Sequence, residues 1–265
     1  MIRTRDLLTQ DGRVVIEEAG DGPHTLICVH GWTRSPRVWR PALAETPKGW
    51  RSVAVDLIVR SDPPRDGYTL AGLAGRVRAV LDTLRVSRAV VAGHSMGGGV
   101  ALDLTLTHPE RVARLVLIAT GPRVPRTAEA SAPITLLRTH GKTRAVMAEI
   151  LHHWFYRQPD ADEFEPILED AMRWPEEALF EVRASLEAND YSSRLREIAV
   201  PTLVIHGERD HTRPVEQARD TAKALPDGRL VVIPEAGHTP MHEAPAEFNR
   251  KFWPFVAAAA QEESP

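Results

Sequence analysis

Short, uniformly apolar runs separated by amphipathic stretches organise the first 120 residues. Leu26-Ile27-Cys28-Val29, Val53-Ala54-Val55, Ala89-Val90-Val91-Ala92 and Leu115-Val116-Leu117-Ile118 show no polar face, the pattern of parallel strands covered on both sides. Between them, residues 70–84 place Leu73, Val77, Val80, Leu81 and Leu84 at helical spacing. Leu7-Leu8 and Val14-Val15-Ile16 flank Asp11-Gly12, a hairpin signal, so the sheet is expected to open with an antiparallel pair. The alternation restarts at Pro201 with Thr202-Leu203-Val204-Ile205 and Leu230-Val231-Val232-Ile233 and closes with a helix near 245–259. These elements predict an α/β fold with a doubly wound, mostly parallel sheet. The tail, 261–265, is expected to fray.

Residues 121–198 break the alternation. Val146, Ile150 and Trp154 recur every four residues, as do Met147, Leu151 and Phe155, which predicts one broad apolar helical face. Leu179, Val182 and Leu186 mark a further helix opened by Pro175. The chain therefore divides into a core from 1–120 and 199–265 and a helical insertion from 121–198.

Composition narrows the setting. In 265 residues, 33 Lys and Arg against 36 Asp and Glu give a net charge of −3, and without a basic stripe nucleic acid is not an expected partner. The single cysteine, Cys28, sits inside an apolar run, which rules out an intrachain disulfide and predicts a buried thiol. The first residues lack the apolar stretch of a signal peptide and no run reaches membrane-spanning length, so a cytoplasmic protein is expected. Adjacent His152 and His153 cannot share a helix face, and no metal site is expected.

The chemistry concentrates where apolar runs end. Gly93-His94-Ser95-Met96-Gly97 follows one run and precedes a helix-like stretch, a strand, sharp turn and helix with a serine at the apex. A Gly-x-Ser-x-Gly match arises by chance in roughly one chain in ten of this length, so its context decides. A hydroxyl of ordinary acidity needs a base and a group to orient that base. Two later runs end in His206-Gly207-Glu208-Arg209-Asp210 and Pro234-Glu235-Ala236-Gly237-His238. In a parallel sheet the strand C-termini share one edge, so Ser95, Asp210 and His238 are expected to converge there. Glu208 competes for the acid's place and His242, one helical turn on, for the base's.

With His30-Gly31-Trp32, Gly93 to Gly98, Gly207 to Asp210 and Gly237-His238 in this order, the chain resembles the serine-nucleophile branch of the α/β-hydrolases over nearly its whole length. The resemblance implies Ser95 as nucleophile, His238 as general base and then acid, Asp210 as its orienting partner, and the Met96 and Trp32 N–H groups as oxyanion hole. It implies that the insertion is a cap over the site, with Trp154, Phe155, Tyr156 and Trp174 as candidate pocket walls, and that His30 supports its loop. No cofactor is implied. His-Gly-Trp beside Gly-x-Ser-Met-Gly-Gly resembles small esterases, lactonases and perhydrolases, so the expected substrate is a small carboxylic ester or lactone cleaved through an acyl-enzyme. Carbon–carbon hydrolysis of a ketonic ring-cleavage product by the same triad and a non-catalytic ligand receptor are the alternatives, with perhydrolysis or halide oxidation as side activities. One segment departs from the family: where relatives carry a glycine-containing loop, this chain has Asp56-Leu57-Ile58-Val59-Arg60-Ser61-Asp62-Pro63-Pro64. That loop is expected to be stiff and to present Ile58 and Val59 at the entrance.

Overall fold

Among the described residues, eight strands form one sheet: β1 (Arg3–Thr9), β2 (Gly12–Gly20), β3 (His24–Val29), β4 (Trp50–Val55), β5 (Ala89–His94), β6 (Val112–Ile118), β7 (Thr202–Gly207) and β8 (Gly228–Ile233). Their spatial order in the computed structural model is β1-β2-β4-β3-β5-β6-β7-β8. The β1/β2 and β2/β4 pairs are antiparallel and the remaining pairs are parallel. In the opening hairpin Thr9 pairs with Gly12, so Gln10-Asp11 form the turn, one residue earlier than the sequence pattern indicates. Gly12 follows it with φ 94°. Residues 1–262 are described; of the tail expected to fray, 263–265 lie outside the described residues.

The helices are α1 (Arg40–Leu43), α2 (Leu70–Thr83), α3 (Met96–Thr107), α4 (Ala128–His140), α5 (Arg144–His152), α6 (Ala161–Met172), α7 (Glu176–Ala188), α8 (Val215–Ala224), α9 (Pro240–Glu243), α10 (Pro245–Ala257) and α11 (Ala259–Glu262). Alternate strand residues feed two hydrophobic clusters. Ile27, Val29, Val91, Leu115, Leu117 and Val204 pack with α2, α3 and α8 on one face. Leu26, Cys28, Val90, Val116 and Ile205 pack with Leu43, Phe248, Phe252 and Val256 on the other. Each fully buried aliphatic side chain stabilises the fold by roughly 1.5–3 kcal/mol. Burial pushes the Cys28 thiol well up, which removes the reactive thiolate.

Four helices, α4 to α7, lie between β6 and β7, and their apolar residues Ile134, Leu137, Met147, Ile150, Leu179 and Val182 join the cluster that contains α2 and α3. Trp154 and Phe155 do not extend the face of α5. That helix starts where the Thr143 hydroxyl accepts from the Val146 N–H at 3.2 Å. It stops at His152, where Trp154 N–H turns to Leu151 O and Phe155 N–H to His152 O. Such i to i+3 bonds tighten a last turn and end it. Pro175 stands just before α7, with φ −58° and ψ 143°. Among the described residues no helix is long and apolar enough to cross a membrane.

The glycine-free loop after β4 is stitched from beneath by one cation. Arg76, fully buried on α2, donates to Asp11 Oδ2 at 2.8 Å, to Asp62 O at 2.8 Å and to Leu57 O at 3.2 Å. From the other side, His30 Nε2 accepts the Leu57 N–H at 3.0 Å. Ile58 and Val59 are consequently buried. They line a groove with Arg37, Arg40 and Asp170, not the cleft that contains Ser95. Removing one partner of a buried ion pair leaves the other uncompensated. Arg76→Met is therefore expected to lower unfolding stability by about 3–5 kcal/mol in urea titration, with the opening hairpin and the 56–66 loop losing amide-exchange protection first.

Candidate active site

The turn that carries Ser95 is tight because two glycines let backbone touch backbone. A Cβ on Gly93 would stand 2.2 Å from Gly97 O, and one on Gly97 would stand 2.3 Å from Val29 O. Between them Ser95 adopts φ 52° and ψ −113°, a conformation that costs an L residue about 1–3 kcal/mol. The surroundings enforce it: Ser95 N–H donates to Ile118 O at 2.9 Å and Ser95 O accepts from Thr120 Oγ1 at 2.8 Å. The serine hydroxyl thus stands at the C-terminal end of β5 and at the start of α3.

Three side chains from distant segments meet there in one line. His238 Nε2 lies 2.8 Å from Ser95 Oγ, and His238 Nδ1 lies 2.7 Å from Asp210 Oδ2. Asp210 Oδ1 accepts from the Thr212 hydroxyl at 2.7 Å and from the Thr212 and Arg213 N–H groups, each at 3.0 Å. Burial alone pushes the Asp210 carboxyl up, but the His238 charge and the hydrogen bonds from His238 and Thr212, with His206 assisting, hold it well below the usual carboxylate range. A carboxylate on Nδ1 fixes the tautomer that leaves Nε2 able to accept the serine proton. Such a line converts a poor hydroxyl nucleophile into a competent one.

Two backbone segments adjoin Ser95. Met96 opens α3, so its N–H lies outside the helical ladder and at the positive end of the dipole. The loop bearing Trp32 passes close to Ser95, since a Cβ on Gly31 would lie 3.2 Å from Ser95 Cβ. The Trp32 indole donates to Leu179 O of α7 at 3.0 Å.

A narrow cleft leads to Ser95. Trp32, Trp154 and His238 line it, with the Trp154 ring 5.1 Å from the imidazole. The other expected walls stand elsewhere. Phe155 is buried between the Arg34 guanidinium, 4.7 Å from its ring, and His242. Trp174 is buried and donates to Arg34 O at 2.9 Å. Tyr156 is 45% exposed and its hydroxyl donates to Glu235.

The rival residues are not at the line. His242 packs on Phe155 at 5.6 Å, and the Glu208 side chain is about half exposed beside Arg209. His152 stacks on Phe164, whereas His153 bonds Glu129 O. Among the described residues no group of three or more His, Cys, Asp or Glu could hold a metal ion.

Sequence reasoning missed two features. Glu243 is a staple: Oε2 accepts the N–H groups of Tyr156, Arg157 and Gly237, and Oε1 that of Thr239, at 2.9–3.0 Å. It joins the loop around His238 to the turn after α5, beside a direct bond from His238 N–H to Trp154 O. The second feature is that Arg34, Arg183 and Arg213 line the cleft. The only sequence signal for Glu243 is its place at the end of a Pro-initiated turn of helix.

Two outcomes follow from this geometry. Glu243→Ala is expected to cost about 1.5–3 kcal/mol and to speed amide exchange at Gly237 and Thr239, with Glu243→Gln recovering part of the loss. The second concerns acid. Burial, with Arg34 adding to it, holds His242 down at about 4; burial also lowers His94 and His206. The unfolded chain takes up protons below about 6.5, and the folded one does not until lower pH. Stability should thus be full above pH 6.5 and decline as pH falls toward 4, by up to roughly 3 kcal/mol for His242 alone. Chemical denaturation at pH 7 and 4.5 measures the decline, which His242→Gln should reduce.

Comparison with known proteins agrees with this architecture. The alpha/beta hydrolase family model matches residues 26–251. A pimeloyl-[acyl-carrier protein] methyl ester esterase from Aromatoleum aromaticum is 30% identical over 84% of this chain and 94% of its own. A 2-hydroxy-6-oxononadienedioate/2-hydroxy-6-oxononatrienedioate hydrolase from Cupriavidus pinatubonensis is 28% identical over 96% and 95%. Among solved structures, an esterase from Exiguobacterium antarcticum superposes with a TM-score of 0.85 at 22% identity, covering 96% of this chain and all of that one. On sheet order, strand-end site and sequence match together, the chain belongs to the alpha/beta hydrolase family.

Proposed function

We propose that the protein is a serine hydrolase that cleaves a small carboxylic ester or lactone through an acyl-enzyme. The observation that carries this reading is the unbroken line Ser95 Oγ, His238, Asp210, with contacts of 2.8 and 2.7 Å. Ser95 Oγ attacks the substrate carbonyl carbon while His238 Nε2 takes its proton. Asp210 stays ionised and stabilises the imidazolium that forms. The tetrahedral oxygen bears the negative charge and accepts from Met96 N–H and Trp32 N–H, each such donor being worth on the order of 3 kcal/mol in acyl-transfer enzymes. Collapse breaks the bond to the leaving alkoxide, which receives the proton from His238. Water, deprotonated by His238, then attacks the acyl carbon and frees Ser95. No step needs a cofactor. Trp154 forms a wall of the substrate cleft, and the helices from 121–198 serve as a cap.

A second reading is carbon–carbon hydrolysis of a dienone, supported by the likeness to the 2-hydroxy-6-oxononadienedioate/2-hydroxy-6-oxononatrienedioate hydrolase named above. Loss of the coloured dienone absorbance on addition of protein would favour it over ester cleavage.

Ser95→Ala is expected to reduce kcat/KM for short 4-nitrophenyl esters by at least about 10³-fold with circular dichroism unchanged. Asp210→Asn should cost about 10⁴ in kcat, because the imidazole then rests in the wrong tautomer. Unchanged turnover in Ser95→Ala removes the assignment.

A further inference from the structure

Three side chains walling the Ser95 cleft are buried arginines. Arg34, Arg183 and Arg213 are 4%, 6% and 7% exposed, and no carboxylate stands among the described residues that line the cleft. Taking a guanidinium out of water costs several kcal/mol unless an anion compensates it. Their compensation is incomplete. Arg213 spends only Nη1, on Arg123 O at 3.0 Å and Gln217 Oε1 at 3.1 Å. Its Nε and Nη2 edge, the side that grips a carboxylate with two parallel hydrogen bonds, has no partner among the described residues. Asp210 is the carboxylate that acts on its charge, yet that carboxylate already serves His238 and Thr212. Burial pulls Arg213 down to about 10, with Asp210 opposing and Arg183 reinforcing the effect.

The other two cations are anchored from behind. Arg34 donates Nη2 to Thr239 Oγ1 at 3.2 Å and lies over the Phe155 ring; burial lowers it to about 10, against Glu243 and Asp170. Arg183 is the one in direct contact with a carboxylate, donating Nε to Glu187 at 2.6 Å, and that side chain is 40% exposed. A concave site with low-dielectric walls and charge of one sign concentrates the opposite charge. Ester hydrolysis itself does not call for these cations, because main-chain N–H groups serve the oxyanion.

We propose that the substrate carries a carboxylate besides its scissile carbonyl, seated on the free edge of Arg213 with Arg183 and Arg34 alongside. The substrate class is then the half-ester of a dicarboxylic acid, or a lactone that carries a free carboxylate. This rests on the serine esterase reading for its chemistry but not for its binding.

The test separates the two. In the unaltered protein, kcat/KM for mono-(4-nitrophenyl) glutarate is expected to exceed that for neutral 4-nitrophenyl valerate by about 10–100-fold, the range of a charge-assisted contact. Arg213→Met should bring this ratio near one, Arg183→Met should reduce it, and Arg213→Lys should keep part of it. Glutarate should bind Ser95→Ala in calorimetry, at least tenfold more weakly once Arg213→Met is added. Equal kcat/KM for the two esters, or an undetectable interaction of Ser95→Ala with glutarate, overturns the carboxylate site and leaves the esterase reading intact. Glutarate binding without turnover of either ester upholds the site and overturns the esterase reading. Inorganic phosphate is the control anion: binding of phosphate but not glutarate also overturns the carboxylate assignment.

Discussion

The imidazole of His238 is where the rest of the molecule has to agree. It must reach Ser95 at the end of β5 and Asp210 after β7 at once, and contacts of 2.8 and 2.7 Å leave little tolerance. The sheet supplies coarse placement by ending its parallel strands on one edge. Fine placement comes from backbone. His94 Nε2 donates to His238 O at 2.8 Å, His238 N–H to Trp154 O, and Glu243 holds the N–H groups on either side of the histidine. A residue flanked by fixed peptides needs few rotamers excluded to be held in one orientation, so the entropic cost of aligning the line is met during folding.

The same economy explains the strained serine. A φ of 52° is unfavourable for an L residue, and the peptide bonds around Ser95 persist only because Ile118 O and Thr120 Oγ1 over-determine them. The penalty of about 1–3 kcal/mol is small beside the burial of two aliphatic clusters.

The strand pattern and the meeting of Ser95, Asp210 and His238 at the strand ends were legible from residue order for a physical reason. Strands buried on both faces lose their polar alternation, so Ala89-Val90-Val91-Ala92 announces itself, and the turn after it requires glycines that show as a motif. The insertion was harder. In α4 and α6 a proline, Pro133 and Pro166, sits inside the helix, and a short apolar stripe against a larger core leaves a weak periodic signal. Trp154 and Phe155 continue the spacing of α5, yet the backbone has turned by then, because spacing alone does not register where carbonyls switch from i+4 to i+3 partners. Arg34, Arg183, Arg213 and Glu243 were invisible for a different reason. Charged residues are exposed by default, and only three-dimensional packing reveals that these three arginines are buried and that Glu243 is partly so.

Hydrogen bonds tie residues 121–198 to the strand-end loops around Ser95 and His238. The Trp32 indole bonds α7 through Leu179 O, Trp154 O bonds the His238 peptide, and Glu243 bonds Tyr156 and Arg157. Each link runs from the segment 121–198 to the loop that carries Trp32 or to the residues around His238. A segment joined only by apolar contact could slide, because hydrophobic burial is non-directional. Hydrogen bonds to main chain are directional, so displacement of the turn at 154–157 is carried to His238 and to the loop at Trp32. The helices that wall the cleft and the line of Ser95, His238 and Asp210 are therefore one mechanical unit.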